Sequence, residues 1–341
     1  MGIDATALVA LCDSVGVATA CGPPLGWVTE RLPGWQRHVE PDGFAFHRAP
    51  GAELADIRVV YLCHVDEVGA WIGPSAGGDG AFLAAPFGLT PASLAGADLV
   101  AQDYLDETGA TTRPARAEVR MQRGPRARGL RWLGRRVHHH FASMVADQLV
   151  VHAEHLGPFE AVCTFRGEGL VDGEYVVAKA IDPRSTVFAM TEAARRLARA
   201  DTACLFYMAE ECSTPSVRKA ARFLQDQLPA LRLIVSGDSV EIGSVIPSAP
   251  ESTAVMRLRE KTDFIDPNIA LRLRDRLRGD GMELPVVADS RASKTHFVSW
   301  VAPTVSMGIP ARGQHTPRTR VHLAAIEHAI EVLTRIPSLL G

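Results

Sequence analysis

Residues 57–63 read Ile-Arg-Val-Val-Tyr-Leu-Cys (IRVVYLC), and His64 follows at once. A short, β-branched, nearly continuous apolar run belongs to a strand in a sheet covered on both faces. Similar runs occur at 203–208 (ACLFYM), 231–235 (LRLIV) and 304–309 (TVSMGI). Helical patterns lie between and after them, at 187–200, 216–228, 268–278 and 320–336, with Pro215 as an N-terminal signal for the second. Strands alternating with helices predict an α/β fold.

From about Pro74 to Asp172 the text changes. It is rich in Gly, Ala, Pro and Arg, with short β-like pieces at 117–121 and 161–165. The expectation is a small β domain at 74–172 inserted into a main domain formed by 1–73 and 173–341. A chain of 341 residues has room for two such domains. Nine arginines fall between Arg113 and Arg136, yet with little aromatic interleaving, so this stretch reads as a solvated face or subunit interface rather than a nucleic-acid site.

Bulk properties narrow the classes further. With 47% hydrophobic and 22% charged residues the composition is that of an ordinary globular protein. A net charge of −3 exerts no general pull on nucleic acid or anionic membranes. No apolar run reaches the ~18 residues of a membrane span. Asp4 and the lack of an early basic region do not read as a secretory signal. The six cysteines form no CxxC pair and sit in apolar text, as reduced thiols do. The expected location is the cytoplasm, with no nucleic-acid or membrane partner.

The chemistry-bearing residues recur where strands end. In α/β folds that is where ligands collect, because the loops at strand carboxyl ends converge on a crevice. His64 follows the first strand, and Asp66 points to the same side of extended chain, where it can hold one imidazole nitrogen. Glu210 and Glu211 follow ACLFYM and, facing opposite ways, can divide into a metal ligand and a general base. Asp238 follows 231–235, Asp182 follows the apolar 175–178, and His315 lies in GIPARGQHTP (308–317). Each has a bland alternative alone: a structural histidine, a solvated acidic pair, a turn aspartate. In chain order, however, His, Asp, Glu-Glu, Asp, His suits two zinc-like ions. Such a pair, ~3.5–4 Å apart, needs one bridging carboxylate.

LCHVDEVGAWI (62–72), GEYVVAKAIDPR (173–184), MAEE (208–211), SGDS (236–239) and GIPARGQHTP (308–317) together resemble the tetrahedral aminopeptidase family, members of which are labelled glutamyl aminopeptidase or endoglucanase. The resemblance runs from about residue 55 to the end, skipping most of the insert. It implies a mixed central sheet flanked by helices, of the zinc-peptidase type. It also implies metal sites of His64, Asp182 and Asp238, and of Asp182, Glu211 and His315, with Asp182 bridging and Glu210 shuttling a proton. The implied ions are zinc, cobalt or manganese, and the implied assembly is a homo-oligomer built through the insert.

Three departures from the family pattern stand out. Pro183 replaces a second acidic residue; relatives hold that peptide bond cis, and a proline lowers the cost of cis from ~2.5–4 to ~0.5–1 kcal/mol. The family's glycine-rich Thr-Asp-Ala stretch is replaced at 289–296 by DSRASKTH. Gly313 and Thr319 stand where a tyrosine and a glutamate are expected. The leading reading is removal of an N-terminal residue from a peptide. The alternatives are the same metal chemistry on a non-peptide amide, and a non-catalytic assembly protein of the same fold. The rival histidine cluster, His138–His140 with His152 and His155, is read as lacking acidic partners nearby in sequence and as a surface or interface group.

Overall fold

The computed structural model describes residues 2–76, 80–103, 112–121, 147–154, 161–242, 250–259, 267–288 and 294–340. The chain divides into two compact units, residues 1–67 with 167–341, and residues 68–166. Each seam lies six residues earlier than composition had placed it.

The first unit opens with helices α1 (Ala5–Asp13) and α2 (Gly22–Arg31) and strands β1 (Gln36–Glu40), β2 (Phe44–Arg48) and β3 (Val59–His64). The second contributes β4 (Gly69–Ser75), β5 (Ala81–Phe87), the short α3 (Pro91–Leu94), β6 (Asp98–Asp103), β7 (Arg113–Met121), β8 (Asp147–Ala153) and β9 (Ala161–Phe165). The chain then returns with β10 (Leu170–Asp172), β11 (Tyr175–Ala178), α4 (Ile181–Leu197), β12 (Thr202–Tyr207), α5 (Pro215–Gln227), β13 (Leu233–Glu241) and β14 (Val255–Arg259). It closes with α6 (Pro267–Gly279), β15 (Val286–Ala288), β16 (Thr304–Arg312), β17 (Thr319–His322) and α7 (Leu323–Leu339).

The first unit is built on an eleven-stranded mixed sheet of order β1-β2-β12-β3-β13-β16-β17-β11-β10, with β14 and β15 attached beside β16. Its centre, β12-β3-β13-β16, is parallel, and the flanking pairs are antiparallel. The apolar runs alternate between two cores. Val59, Tyr61 and Cys63 face the core shared with α1, α2, α4, α6 and α7, while Val60 and Leu62 face the one shared with α5. Cys204 and Phe206 likewise oppose Leu205 and Tyr207. Burial on both faces is why these strands read as unbroken apolar text. Each fully buried side chain of this size adds about 1.5–3 kcal/mol. The fold is therefore the expected α/β class with a mixed sheet between helices.

The second unit is a closed antiparallel barrel, β4-β5-β8-β7-β6-β9, around its own core of Ile72, Phe82, Leu99, Leu149, Val151 and Phe165. Closure leaves no open edge strand. Of the basic stretch, Arg113, Arg116 and Arg120 lie on β7; the remaining six arginines, His138–His140 and His155 lie outside the described residues, as does 289–293.

Two local expectations need correction. Residues 320–322 are strand, not the start of a helix: Thr319–His322 pairs with β11 and β16, and inter-strand hydrogen bonding overrides the helical reading until Leu323. Asp238 lies within β13 rather than after it, because that strand continues to Glu241 beside the equally long β16.

Candidate metal centre

The parallel centre of the sheet brings residues of four strands to one place. β3 ends on His64, β12 runs into Glu210-Glu211, β13 carries Asp238, and β16 leads to His315. Asp182 enters from the first turn of α4 with non-helical dihedrals of −82° and 114°, and the Asp182–Pro183 peptide is cis. Ile181 O accepts hydrogen bonds from the Ser185 and Ser239 hydroxyls, pinning this turn to β13. Gly237 permits the approach: a Cβ there would sit 2.3 Å from Thr186 Cγ2.

The two carboxylate oxygens of Asp182 face different histidines. Oδ1 is 3.9 Å from His64 Nε2, and Oδ2 is 3.6 Å from His315 Nε2. His64 Nε2 also lies 3.5 Å from Asp238 Oδ1, and His315 Nε2 lies 3.3 Å from Glu211 Oε1. Two triads result, His64–Asp182–Asp238 and Asp182–Glu211–His315, the donor atoms of each lying within 4.8 Å of one another.

Asp66 acts on the neighbouring turn as well as on His64. Its carboxylate accepts the backbone N–H groups of Glu210 at 2.9 Å and Glu211 at 3.2 Å, and its Oδ1 lies 3.5 Å from His64 Nδ1. Ala209 before the pair has φ +60°, and His315 has φ +60° too. Such left-handed backbone in residues other than glycine costs energy and persists where the surroundings enforce it. Here Ala209 N–H is held by Ala18 O, while Glu241 accepts the N–H groups of Gly313 and Gln314 just ahead of His315.

The electrostatics are those of crowded, buried acids. Burial, Asp238 and Glu211 push the Asp182 carboxyl up to about 7, against the opposing pull of His315. Burial pushes Glu210 up to about 8, with Glu211 and Asp238 adding to the effect and His64 and Lys294 opposing it. Burial also works against ionised Asp238, yet His64 and Arg257 outweigh it and hold that carboxyl below the usual range. Burial lowers His315, but Asp182 and Glu211 overcome it and raise the imidazole to about 11.

The donor set suits divalent cations. Imidazole nitrogen and carboxylate oxygen are what zinc-like ions accept, and five carboxylates (Asp66, Asp182, Glu210, Glu211, Asp238) concentrate negative charge here. Asp182 Oδ1 is buried without a hydrogen-bond partner. Such an atom is costly unless something positive meets it.

Three cations escaped the sequence reading. Arg257 on β14, 1% exposed, lies 3.7 Å from Asp238 Oδ2 and donates to the Ser306 hydroxyl. Glu67 accepts from Lys179 Nζ at 2.8 Å and from Arg184 at 3.1 Å, all three side chains being buried. Arg184 in turn donates to the carbonyls of Leu11, Cys12, Ser14 and Gly16, tying the N-terminal segment to the residue after Pro183. The clue was present: Lys179 and Arg184 flank Asp182 in otherwise apolar text, where unpaired charge is not tolerated.

The whole chain resembles the TET1 peptidase of Pyrococcus horikoshii, which can assemble into a tetrahedron or a large octahedral shell (TM-score 0.76, 16% identity, 97% of this chain and 98% of that one). It also resembles a TET aminopeptidase from a marine sediment archaeon of the Thaumarchaeota (0.76, 14%, 97% and 94%) and an endoglucanase of Thermotoga maritima (0.66, 15%, 96% and 95%). At these identities the likeness is one of fold. In sequence, a candidate aminopeptidase of Acetivibrio thermocellus is 21% identical over 179 residues, which cover 50% of this chain and 54%, about half, of that relative. The model of the M42 glutamyl aminopeptidases matches residues 158–332, just over half of the chain, and on that match the chain belongs to the M42 glutamyl aminopeptidase family.

Proposed function

We propose that the protein is a two-metal aminopeptidase that removes the N-terminal residue of a peptide. The observation that carries this reading is Asp182, whose two oxygens each face a different histidine-carboxylate pair. His64, Asp182 and Asp238 would hold one cation, and Asp182, Glu211 and His315 the other. When bound, such a pair polarises the scissile carbonyl and makes water a nucleophile near neutral pH.

The chain's own residues do the rest. Glu210 takes the proton of the attacking water and returns it to the leaving nitrogen, so that the C–N bond breaks with a neutral amine departing. Asp66 keeps Glu210 and Glu211 in register by holding both of their N–H groups. Arg257 keeps Asp238 ionised and therefore able to ligate.

The barrel, residues 68–166, would serve self-association, as the shell-forming neighbour leads one to expect. No described helix is long and apolar enough to cross a membrane, and the six free thiols fit the reducing cytoplasm proposed as the site of action.

The test is metal analysis of the purified chain, with hydrolysis of aminoacyl anilides before and after chelation. Two zinc, cobalt or manganese equivalents per chain and activity restored by adding the ion are expected. Full activity in metal-free, chelator-treated protein would refute the reading.

A further inference from the structure

Lys294 is an ammonium in a place where the two-metal reading does not call for one. Its Nζ lies 3.7 Å from Glu210 Oε1, and its side chain is 27% exposed. Arg257 already supplies the buried countercharge beside Asp238. Lys294 differs in both respects, standing next to the proton shuttle rather than a ligand and keeping one side open. Its position is fixed: the next residue, Thr295, shares a buried 3.0 Å hydrogen bond with Ser236, two residues before Asp238 on β13. Val298, at the end of the same short turn, is buried in the core beside α5.

A cation here opposes what the site needs. With its Nζ 3.7 Å from Glu210 Oε1, it places a like charge where divalent ions would be held. An anion arriving with the substrate removes that objection, and the shuttle says from which side it comes. To accept a proton from Glu210, the leaving nitrogen must come within hydrogen-bonding distance of it. In an amino-acid leaving group the α-carboxylate hangs on the carbon attached to that nitrogen. It therefore falls beside Glu210, where the Lys294 ammonium offers a point charge and three donors.

Building on the proposed two-metal hydrolysis, we infer that Lys294 binds the free α-carboxylate of the leaving residue. The preferred substrates are then dipeptides or N-acylated amino acids with an unblocked carboxyl end, rather than long peptides.

The experiment compares leucyl-alanine with leucyl-alanine amide on the full, metal-loaded chain. A preference for the free acid of about 10- to 100-fold in kcat/KM is expected, the size of one charge-assisted hydrogen bond. Lys294→Met should bring that ratio to about one, mainly through KM, while Lys294→Arg retains most of it. Calorimetric binding of alanine and alaninamide gives a readout free of turnover: only the first should weaken in Lys294→Met. Equal hydrolysis of both substrates by the unaltered chain would overturn the inference and leave the two-metal reading standing. So would a Lys294→Met defect confined to glutamyl-alanine amide, which would put the carboxylate on the other side of the scissile bond. Hydrolysis of neither substrate would remove both.

Discussion

The α/β unit and the barrel treat charge in opposite ways. Among the described residues, the barrel's buried polar side chains are Gln102 and Thr164, both uncharged. The α/β unit buries Asp66, Glu67, Lys179, Arg184, Glu192 and Arg257 as well as His64. Both have continuous apolar cores, so packing alone does not require these ions. Burying a charge costs several kcal/mol unless a partner repays it. Most of these groups stand within a few residues of the strand-end crevice, as expected if they hold a reactive geometry in place.

The sharpest way to break this contrast is within the acidic pair. Glu210→Gln should keep both cations and lose about 10²–10⁴-fold in turnover, since only the proton shuttle is gone. Glu211→Gln should instead lose occupancy of one cation. Metal content and rate measured on both variants decide the matter, and full activity in Glu210→Gln would end the assignment.

Next in size is the buried ionic group. Glu67→Gln leaves Lys179 and Arg184 facing each other without their shared acid, and about 3–5 kcal/mol of stability should disappear. Urea denaturation measures it; a loss below ~1 kcal/mol would mean that the group is not the tie it looks to be.

In the barrel the corresponding experiment is one of volume. Leu149→Ala, at a position 2% exposed, should cost about 2–5 kcal/mol while metal content stays unchanged. Glu118→Gln, which removes exposed ion pairs to Arg120 and His152, should leave the denaturation midpoint where it was. If Glu118→Gln proved as damaging as Glu67→Gln, the difference between the two units would collapse.

A further test is a dependence on pH. Burial and the nearby Arg37 lower the His47 imidazole on β2 to about 4, from an ordinary value near 6.5. The folded protein thus keeps His47 neutral where the unfolded chain is protonated. Its contribution is complete above pH ~6.5 and is lost as pH falls toward 4, on the order of 3 kcal/mol in all. His47→Phe should flatten the acid limb of the stability profile, and an unchanged slope would assign that limb to other groups.

The α/β order was readable from sequence because strands buried on both faces leave unbroken apolar runs such as 57–63 and 203–208. The candidate ligands could be picked out because they follow those runs in the sequence. Residues 319–322 were not: four residues of strand run directly into a helix, and only pairing with β11 and β16 separates the two. The cations were hidden by distance along the chain. Lys179 meets Glu67 across 112 residues, and Arg257 meets the Ser306 hydroxyl across 49.

Periodicity and strand-end placement are local properties, so the sequence by itself determined the layered fold, the candidate ligands and their order. Tertiary structure decided that Asp182 divides its oxygens between two histidines, that Asp66 holds the Glu210-Glu211 turn, and that Lys294 stands beside Glu210. The physical reason is that desolvation and Coulomb energy follow distance through space and depth of burial, and neither can be read from separation along the chain.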